Sequence, residues 1–285
     1  MSRERNLHKG LISVMSCIDY TVSKESYELL MNPIYDMMVT SPVPIDLEKY
    51  YKSDAYISHS DSNTNFLDKV YQRVRKYTLK RKVSLINSFN TSGKKLLDVG
   101  CGTGDFLATA KKEGWNVFGV EPSEEARDIS SRKNIVALEE LLFLKEENFD
   151  VITLWHVLEH VPNLFTYIET LKKKLNPNGV LLIAVPNYKS FDARYYKEYW
   201  AGYDVPRHLW HFSQQSIEML FSKQEMHVQK VIPMKFDSYY VSMLSEKYKY
   251  GKNRFLKALC IGFLSNRKAR ATSEYSSLIY LIKNT

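Results

Sequence analysis

Leu96-Leu-Asp-Val-Gly-Cys-Gly-Thr-Gly-Asp-Phe-Leu107 decides the fold of this 285-residue chain. The short apolar run Lys95–Val99 reads as a buried strand. It runs into glycines at alternate positions, Gly100, Gly102 and Gly104, and a helical pattern over Asp105–Glu113 follows, closed by Gly114. Glycine lets the backbone turn sharply and lets a ligand approach with no Cβ in the way. A strand, a glycine loop and a helix in this order belong at the carboxyl edge of an open α/β sheet, where such sheets bind ligands.

Strands and helices alternate downstream. Strands are expected at Trp115–Glu121, Asn134–Ala137, Phe149–Trp155, Val180–Val185, His227–Pro233 and Ser277–Lys283. Helices are expected at Ser123–Arg132, Asn163–Leu175 and Ser213–Lys223, with Asn176-Pro-Asn-Gly179 stopping the second. This pattern implies βαβ units and a parallel sheet covered on both faces. Asp237–Ala271 is long and helical, which predicts an inserted helical pair and then a returning, antiparallel strand. Upstream, Phe66–Phe89 has helical periodicity, with Asn65 as its cap, and Tyr50–Asn65 reads as loop. Met1–Ser41 has no clear period, and Ser41-Pro-Val-Pro44 reads as a stiff break. The expected organisation is an N-terminal extension, 1–65, and an α/β domain, 66–285, carrying the insertion at 237–271.

The spacing of the glycines selects a ligand. A dinucleotide fingerprint, G-x-G-x-x-G, would need glycine where Asp105 stands. D-x-G-x-G-x-G, starting at Asp98, fits S-adenosylmethionine (SAM) better. SAM has no pyrophosphate to seat on a helix N-terminus. Its carboxylate and ammonium need mixed donors and acceptors, which Asp98 and the backbone of Gly100, Cys101, Gly102, Thr103 and Gly104 supply. In Val117-Phe-Gly-Val-Glu-Pro-Ser123, Glu121 ends the next strand, 21 residues beyond Gly100. An acidic residue there accepts from ribose hydroxyls and repels a 2′-phosphate.

Leu96–Leu107, Val117–Ser123, Phe149–Asn163 and Gly179–Asn187 resemble the successive motifs of class I SAM-dependent methyltransferases, above all the small-molecule subgroup of the ubiquinone-biosynthesis O-methyltransferases. The resemblance covers roughly Phe66–Lys283. It implies a Rossmann-like, seven-stranded, mostly parallel sheet with helices on both faces and its last strand antiparallel. It also implies that Asp98–Gly104 holds the methionine moiety, that Glu121 lies at the ribose, and that Trp155 and His156 flank the adenine, with Pro122 a further cofactor contact. An acidic residue often found after the third strand corresponds only loosely to Glu139 and Glu140.

Phe149–Asn163 also contains His156, Glu159 and His160, literally H-x-x-E-H, the inverted zinc-protease pattern. Pro162 limits any helix there to about one turn, and the segment follows a buried strand, so the zinc-hydrolase reading is set aside. The resembled subgroup carries a similar Glu-His-Val-Pro segment facing the methyl group and the acceptor. His160, then His156, are the candidate general bases, because imidazole titrates near neutral pH. Some of the resembled enzymes use a divalent metal near this segment, to which Glu159 and His160 would contribute, but no metal is expected here.

Tyr199-Trp-Ala-Gly-Tyr-Asp-Val-Pro-Arg-His-Leu-Trp-His-Phe-Ser213 lies where class I enzymes commonly line the acceptor pocket. Tyr203, Arg207, His208 and His211 are the substrate candidates, with Arg207 suited to a carboxylate or phosphate and His208 an alternative base. Lys49–His59 is a candidate lid over SAM, carried by Tyr51, Tyr56 and His59, of which Tyr51 and Tyr56 are further substrate candidates. Cys17–Glu25 and Thr40–Pro42 resemble the leader of methyltransferases that open with a four-cysteine zinc knuckle. Here the partner positions fall near Val14, Asn32 and Tyr35, and one thiolate cannot hold tetrahedral zinc, which predicts a vestigial or poorly ordered leader.

Composition narrows the rest. Cys17, Cys101 and Cys260 form no CxxC pair and no disulfide framework, so a reducing cytoplasm is the default. No apolar run reaches the length of a membrane span, and no signal-type core follows the basic N-terminus. The net charge of +8 is confined to one end. Ser222–Thr285 carries twelve Lys/Arg against four Asp/Glu, while the remaining residues balance at 28 against 28. No nucleic-acid motif accompanies this charge. A solvated basic face, or contact with an anionic membrane or lipid-linked substrate, are the readings left, and amphipathic Asn253–Leu264 either rests on a bilayer surface or covers the sheet or the pocket. The sequence therefore predicts methyl transfer from SAM to a small molecule, at oxygen, with a sugar or lipid-linked intermediate among the acceptors allowed. A module that holds SAM without catalysis is the rival.

Overall fold

The computed structural model describes residues 2–51 and 66–285. Its N-terminal part has helix α1 (Ser2–Leu7) and strands β1 (Ile12–Ile18), β2 (Ser26–Asn32) and β3 (Met37–Ser41). Helix α2 (Phe66–Asn87) leads into β4 (Lys95–Val99), α3 (Asp105–Lys112), β5 (Asn116–Val120), α4 (Glu124–Ser131), β6 (Ala137–Leu138) and β7 (Phe149–Trp155). Then come α5 (Leu164–Lys174), β8 (Leu175–Pro186), α6 (Phe191–Tyr196), β9 (Trp210–His211), α7 (Gln214–Ser222) and β10 (Met226–Pro233). The chain finishes with the hairpin α8 (Asp237–Tyr250) and α9 (Phe255–Thr272), and β11 (Ser277–Asn284).

Seven strands form the main sheet in the order β10-β11-β8-β7-β4-β5-β6. The pairs β4–β5, β4–β7, β5–β6 and β7–β8 are parallel. Strand β11 is antiparallel to both β8 and β10, as the late helical insertion predicted. Strand alternation divides the core between the two faces. Leu97, Ile152, Ile183 and Tyr280 pack on one side with Ile168 and Leu171 of α5 and Ile217 and Leu220 of α7. Leu96, Val151, Leu182 and Ile279 pack on the other with Val83 and Ile86 of α2 and Phe106 and Ala110 of α3. Both faces are therefore dry, which explains why these strands read as continuous apolar runs.

The N-terminal part departs from expectation. It is a second sheet, ordered β1-β2-β3-β9, whose last strand comes from the segment expected to line the acceptor pocket. The leader is thus folded, and the division drawn at residue 65 is crossed by the β3–β9 pair, Met38 to His211 and Val39 to Trp210. Asp19 closes the β1–β2 turn by accepting from the backbone N–H groups of Thr21, Val22 and Ser23. Asp36 pins the sheet to the rest through Lys189 and the Ser213 hydroxyl, the latter at 2.7 Å. Cys17 is buried among Tyr27, Trp200 and Tyr203, and burial pushes its thiol up to about 12. The calls on Tyr56 and His59, and the cap at Asn65, lie outside the described residues.

The helical hairpin is locked by one buried carboxylate. Asp192 of α6 accepts from Trp200 Nε1 at 2.8 Å, from Ser265 of α9 at 2.6 Å and from Ser276, just before β11, at 2.7 Å. Asp192→Ala leaves three buried donors without an acceptor and is expected to cost about 3 kcal/mol, read as a lower urea midpoint. A loss below about 1 kcal/mol would show that the hairpin is held by apolar packing instead.

Candidate functional site

The site is built at the carboxyl ends of β4, β5 and β7, where consecutive strands leave room above the sheet. After Val99 the chain turns through Gly100, Gly102 and Gly104 with φ of +70°, +53° and +76°. A Cβ on Gly100 would fall 2.4 Å from Val157 Cγ2, so bare backbone is required where this loop meets the one after β7. A Cβ on Gly102 would meet nothing within 4 Å: its face opens onto empty space above the sheet.

The neighbouring strand supplies the acceptor. Glu121 Oε2 accepts from Gly102 N–H at 2.8 Å, and Oε1 accepts from Ser123 N–H at 3.0 Å. A carboxylate oxygen takes two hydrogen bonds, so each oxygen keeps one site for a further donor. Pro122 is exposed beside it. Asp98 is buried at the root of the loop, where one oxygen takes the Thr153 hydroxyl at 2.6 Å and burial raises its pKa. Thr103 bonds Asp105 at 3.2 Å, and the buried Cys101 lies under Gly119. Glu139 and Glu140 are exposed.

Two residues of the site were not singled out in the sequence. Lys82 of α2 places its Nζ 4.0 Å over the Trp155 ring, where burial lowers its pKa against the pull of Asp98 and Asp237. Asp237, the first residue of α8, reaches His156 Nε2 at 3.2 Å. Lys82 is hidden in the run Lys80-Arg81-Lys82, and Asp237 stands 81 positions from the histidine it meets, so neither leaves a local signal.

Trp155 packs edge-on against Phe106, and its Nε1 is buried without a hydrogen-bond partner. His156, in the left-handed region at φ +59°, is held between Glu159 Oε1 at 3.3 Å and Asp237. Against the cost of desolvation, the Asp237 and Glu159 contacts push the imidazole up to about 10, so it is a cation at neutral pH. That removes His156 from the candidate bases, because a protonated ring has no lone pair to offer.

Glu159 is fully buried, and neither of its carboxylate oxygens has an aligned hydrogen bond. Desolvation works against its charge, but His156 and the nearby His208 and His160 rings hold its pKa below the usual value. Donor atoms of Glu159, His160 and His208 all lie within 4.8 Å of one another. Among the described residues, this is the group with the spacing and donor types to hold a metal ion.

His160 is different from His156. Its Nδ1 is 3.0 Å from the Arg207 carbonyl, which can only accept, so Nδ1 carries the hydrogen and Nε2 keeps the lone pair. Burial, reinforced by His208, lowers the ring to about 4, so it is neutral at pH 7. The Tyr51 hydroxyl is 3.0 Å from Nδ1, and among Tyr51, Tyr56 and His59 it is Tyr51 that lies within the described residues. His208 stacks edge-on at 4.6 Å, with Nδ1 against the Gly202 carbonyl and Nε2 4.0 Å from Glu159.

The remaining substrate candidates are not available to a ligand in this arrangement. Arg207 is buried and held by Asp204, with Nε to Oδ2 at 2.9 Å, and by Asp19 at 3.7 Å. His211 is buried with Nε2 against Thr40 Oγ1 at 2.9 Å, and burial lowers its pKa. Tyr203 is packed between Trp200 and His211. These three pack against the N-terminal sheet and its β1–β2 turn. Local composition drew them to the acceptor, but a guanidinium with two carboxylates at hand is satisfied internally.

Comparison with known proteins agrees with this architecture. A family model described as a methyltransferase domain matches residues 71–230. The ubiquinone biosynthesis O-methyltransferase of Actinobacillus pleuropneumoniae serotype 7 is 36% identical over 110 residues, 33% of this chain and 47% of that protein. Its counterpart in Rickettsia prowazekii is 30% identical over 152 residues, 50% of this chain and 59% of that protein. The chain thus spans about half the length of the curated relatives it matches. Magnesium protoporphyrin IX methyltransferase from Synechocystis PCC 6803 superposes with a TM-score of 0.55 at 16% identity, covering 83% of this chain and 97% of that one. Geranyl diphosphate C-methyltransferase from Streptomyces coelicolor A3(2) gives 0.55 at 14%, covering 79% and 88%. These two share the fold. Sheet order, glycine loop and acidic strand end converge with a family model that takes in more than half of the sequence: the chain belongs to the methyltransferase-domain family.

Proposed function

We propose that this protein transfers the methyl group of SAM to an oxygen of a small-molecule acceptor, with His160 as the general base. The observation that carries this is the pairing of an open backbone face at Gly102 and Glu121 with a neutral imidazole, His160, beyond the neighbouring strand. The two remaining acceptor sites on Glu121 match the two ribose hydroxyls. In this reading Asp98 accepts from the amino-acid ammonium, and Lys82 offers a cation to the SAM carboxylate. Trp155, whose ring lies under Lys82, would then border the amino-acid end of SAM rather than the adenine. The names of the relatives support oxygen as the methylated atom.

Methyl transfer is an in-line displacement at an activated sulfonium carbon, so the protein's main contribution is alignment. His160 adds a proton acceptor, Nε2, for the acceptor hydroxyl, and the Arg207 carbonyl fixes the tautomer. His156, as a cation clasped by Glu159 and Asp237, holds the loop after β7 in shape. If a divalent cation is part of the site, Glu159, His160 and His208 would hold it, and it would supply positive charge beside the acceptor oxygen.

Gly102→Val is expected to weaken SAM binding by about tenfold or more in calorimetric titration, with a backbone strain cost of about 2 kcal/mol in stability. Gly100→Ala is expected to disturb the fold itself through Val157. SAM affinity untouched by Gly102→Val would sink the cofactor assignment.

His160→Gln is expected to lower kcat by about 10²-fold or more while leaving SAM affinity within about twofold. Arg207→Lys and His211→Asn should lower the melting temperature, with no effect on the KM of the folded fraction. An active His160→Gln enzyme removes the base from the mechanism.

A chelator separates the two ways of using the histidine group. Activity unchanged by EDTA supports His160 as the free base. Activity lost to EDTA and restored by magnesium, manganese or zinc assigns the group to a metal and rejects the base.

A further inference from the structure

The hairpin α8–α9 is amphipathic in an unusual sense. Helix α9 buries small residues, Ala258, Gly262, Ser265 and Ala269, together with Ile261. The reason is close approach: a Cβ on Gly262 would lie 2.9 Å from Tyr239 Cα, and the Gly262 carbonyl accepts from Ser238 at 3.1 Å. The bulky apolar side chains are displaced outward. Leu256 is 78% exposed, Phe263 56% and Phe255 45%. Leu256, Cys260 and Phe263 follow one another at helical spacing, so they form one stripe, continued by Arg267 and Arg270. At the tip, residues 250–257 are all exposed, and they combine Tyr250, Phe255 and Leu256 with Lys252, Arg254 and Lys257.

The charge of this element has one sign. Between residues 237 and 272 there are eight Lys/Arg and two carboxylates. Asp237 is engaged by His156, and Glu246 is buried against Tyr196, with Arg254 at 3.6 Å. No exposed carboxylate offsets the cations on the outer face. Among the described residues no helix is long and apolar enough to cross a membrane, so any bilayer contact made here is at the surface.

We infer that the α8–α9 tip docks on an anionic bilayer surface, with Phe255, Leu256 and Phe263 entering the headgroup–acyl boundary and the surrounding Lys and Arg on lipid phosphates. Charge selects this occupant. A second copy of the chain on the same face would set cation against cation, whereas anionic lipid complements the basic rim and accepts the apolar stripe. The assignment is independent of the reaction proposed above, since it uses none of the residues of that site.

The test is sedimentation of the full chain with vesicles of phosphatidylcholine alone and with about a third phosphatidylglycerol. Partition is expected to be about tenfold stronger on the anionic vesicles and to fall as salt shortens the range of the charges. Leu256→Ser with Phe263→Ser, and separately Lys252→Glu with Lys257→Glu, are each expected to cut it by about tenfold, at unchanged melting temperature. The loop variant Lys252→Glu alone, outside any helix, gives a smaller loss and guards against misfolding of the others. Equal binding to neutral and anionic vesicles, no binding to either, or self-association that Leu256→Ser abolishes would each overturn the inference.

Discussion

The turn after Val99 is pressed against the loop after β7. Gly100 has no side chain because Val157 occupies the space one would need, and a residue with a Cβ would force the two loops apart. These loops leave the ends of adjacent parallel strands, so their spacing is inherited from the β4–β7 ladder. The first carries the open backbone of Gly102, and the second carries His156, Glu159 and His160. Everything the site can do rests on holding these two segments at one van der Waals distance. In the proposed reaction, a cofactor seated on one would be presented to the side chains of the other, which is the alignment that methyl transfer needs.

Around that contact, electrostatics divides similar residues into different tasks. His156 and His160 are four positions apart, yet one is pushed up to about 10 and the other down to about 4. The difference is partnership. His156 faces two carboxylates, one of them brought from α8, while His160 faces a carbonyl, a tyrosine hydroxyl and another imidazole. Glu159, buried between them, is the negative centre of the group. Separated titration of neighbouring groups is how one site holds a fixed charge and a proton acceptor side by side.

The N-terminal sheet takes part in this arrangement. Its outer member, β9, follows Arg207 and His208, and the Arg207 carbonyl fixes the His160 tautomer. Arg207 in turn is fixed by Asp204 and by Asp19 of the β1–β2 turn. The leader therefore reaches His160 through two steps of packing. This accounts for a buried guanidinium in a segment that composition alone would assign to substrate.

Local features were legible in the sequence wherever the physics is local. The continuous apolar strands, the glycine spacing from Asp98 to Gly104, the acidic end of β5 and the late helical pair all follow from periodicity and backbone sterics, and all are found. Short-range rules fail where partners are distant in the chain. β3 is buried on both faces and pairs with a two-residue strand about 170 positions later, so it shows neither alternation nor turn signal. The tertiary fold alone decided which histidine is charged, because Asp237 reaches His156 only once α8 is packed. It alone turned Arg207, His211 and Tyr203 from an acceptor wall into packing for the N-terminal sheet. Burial sets the energy of a charge, and burial is a property of the assembled molecule rather than of any stretch of residues.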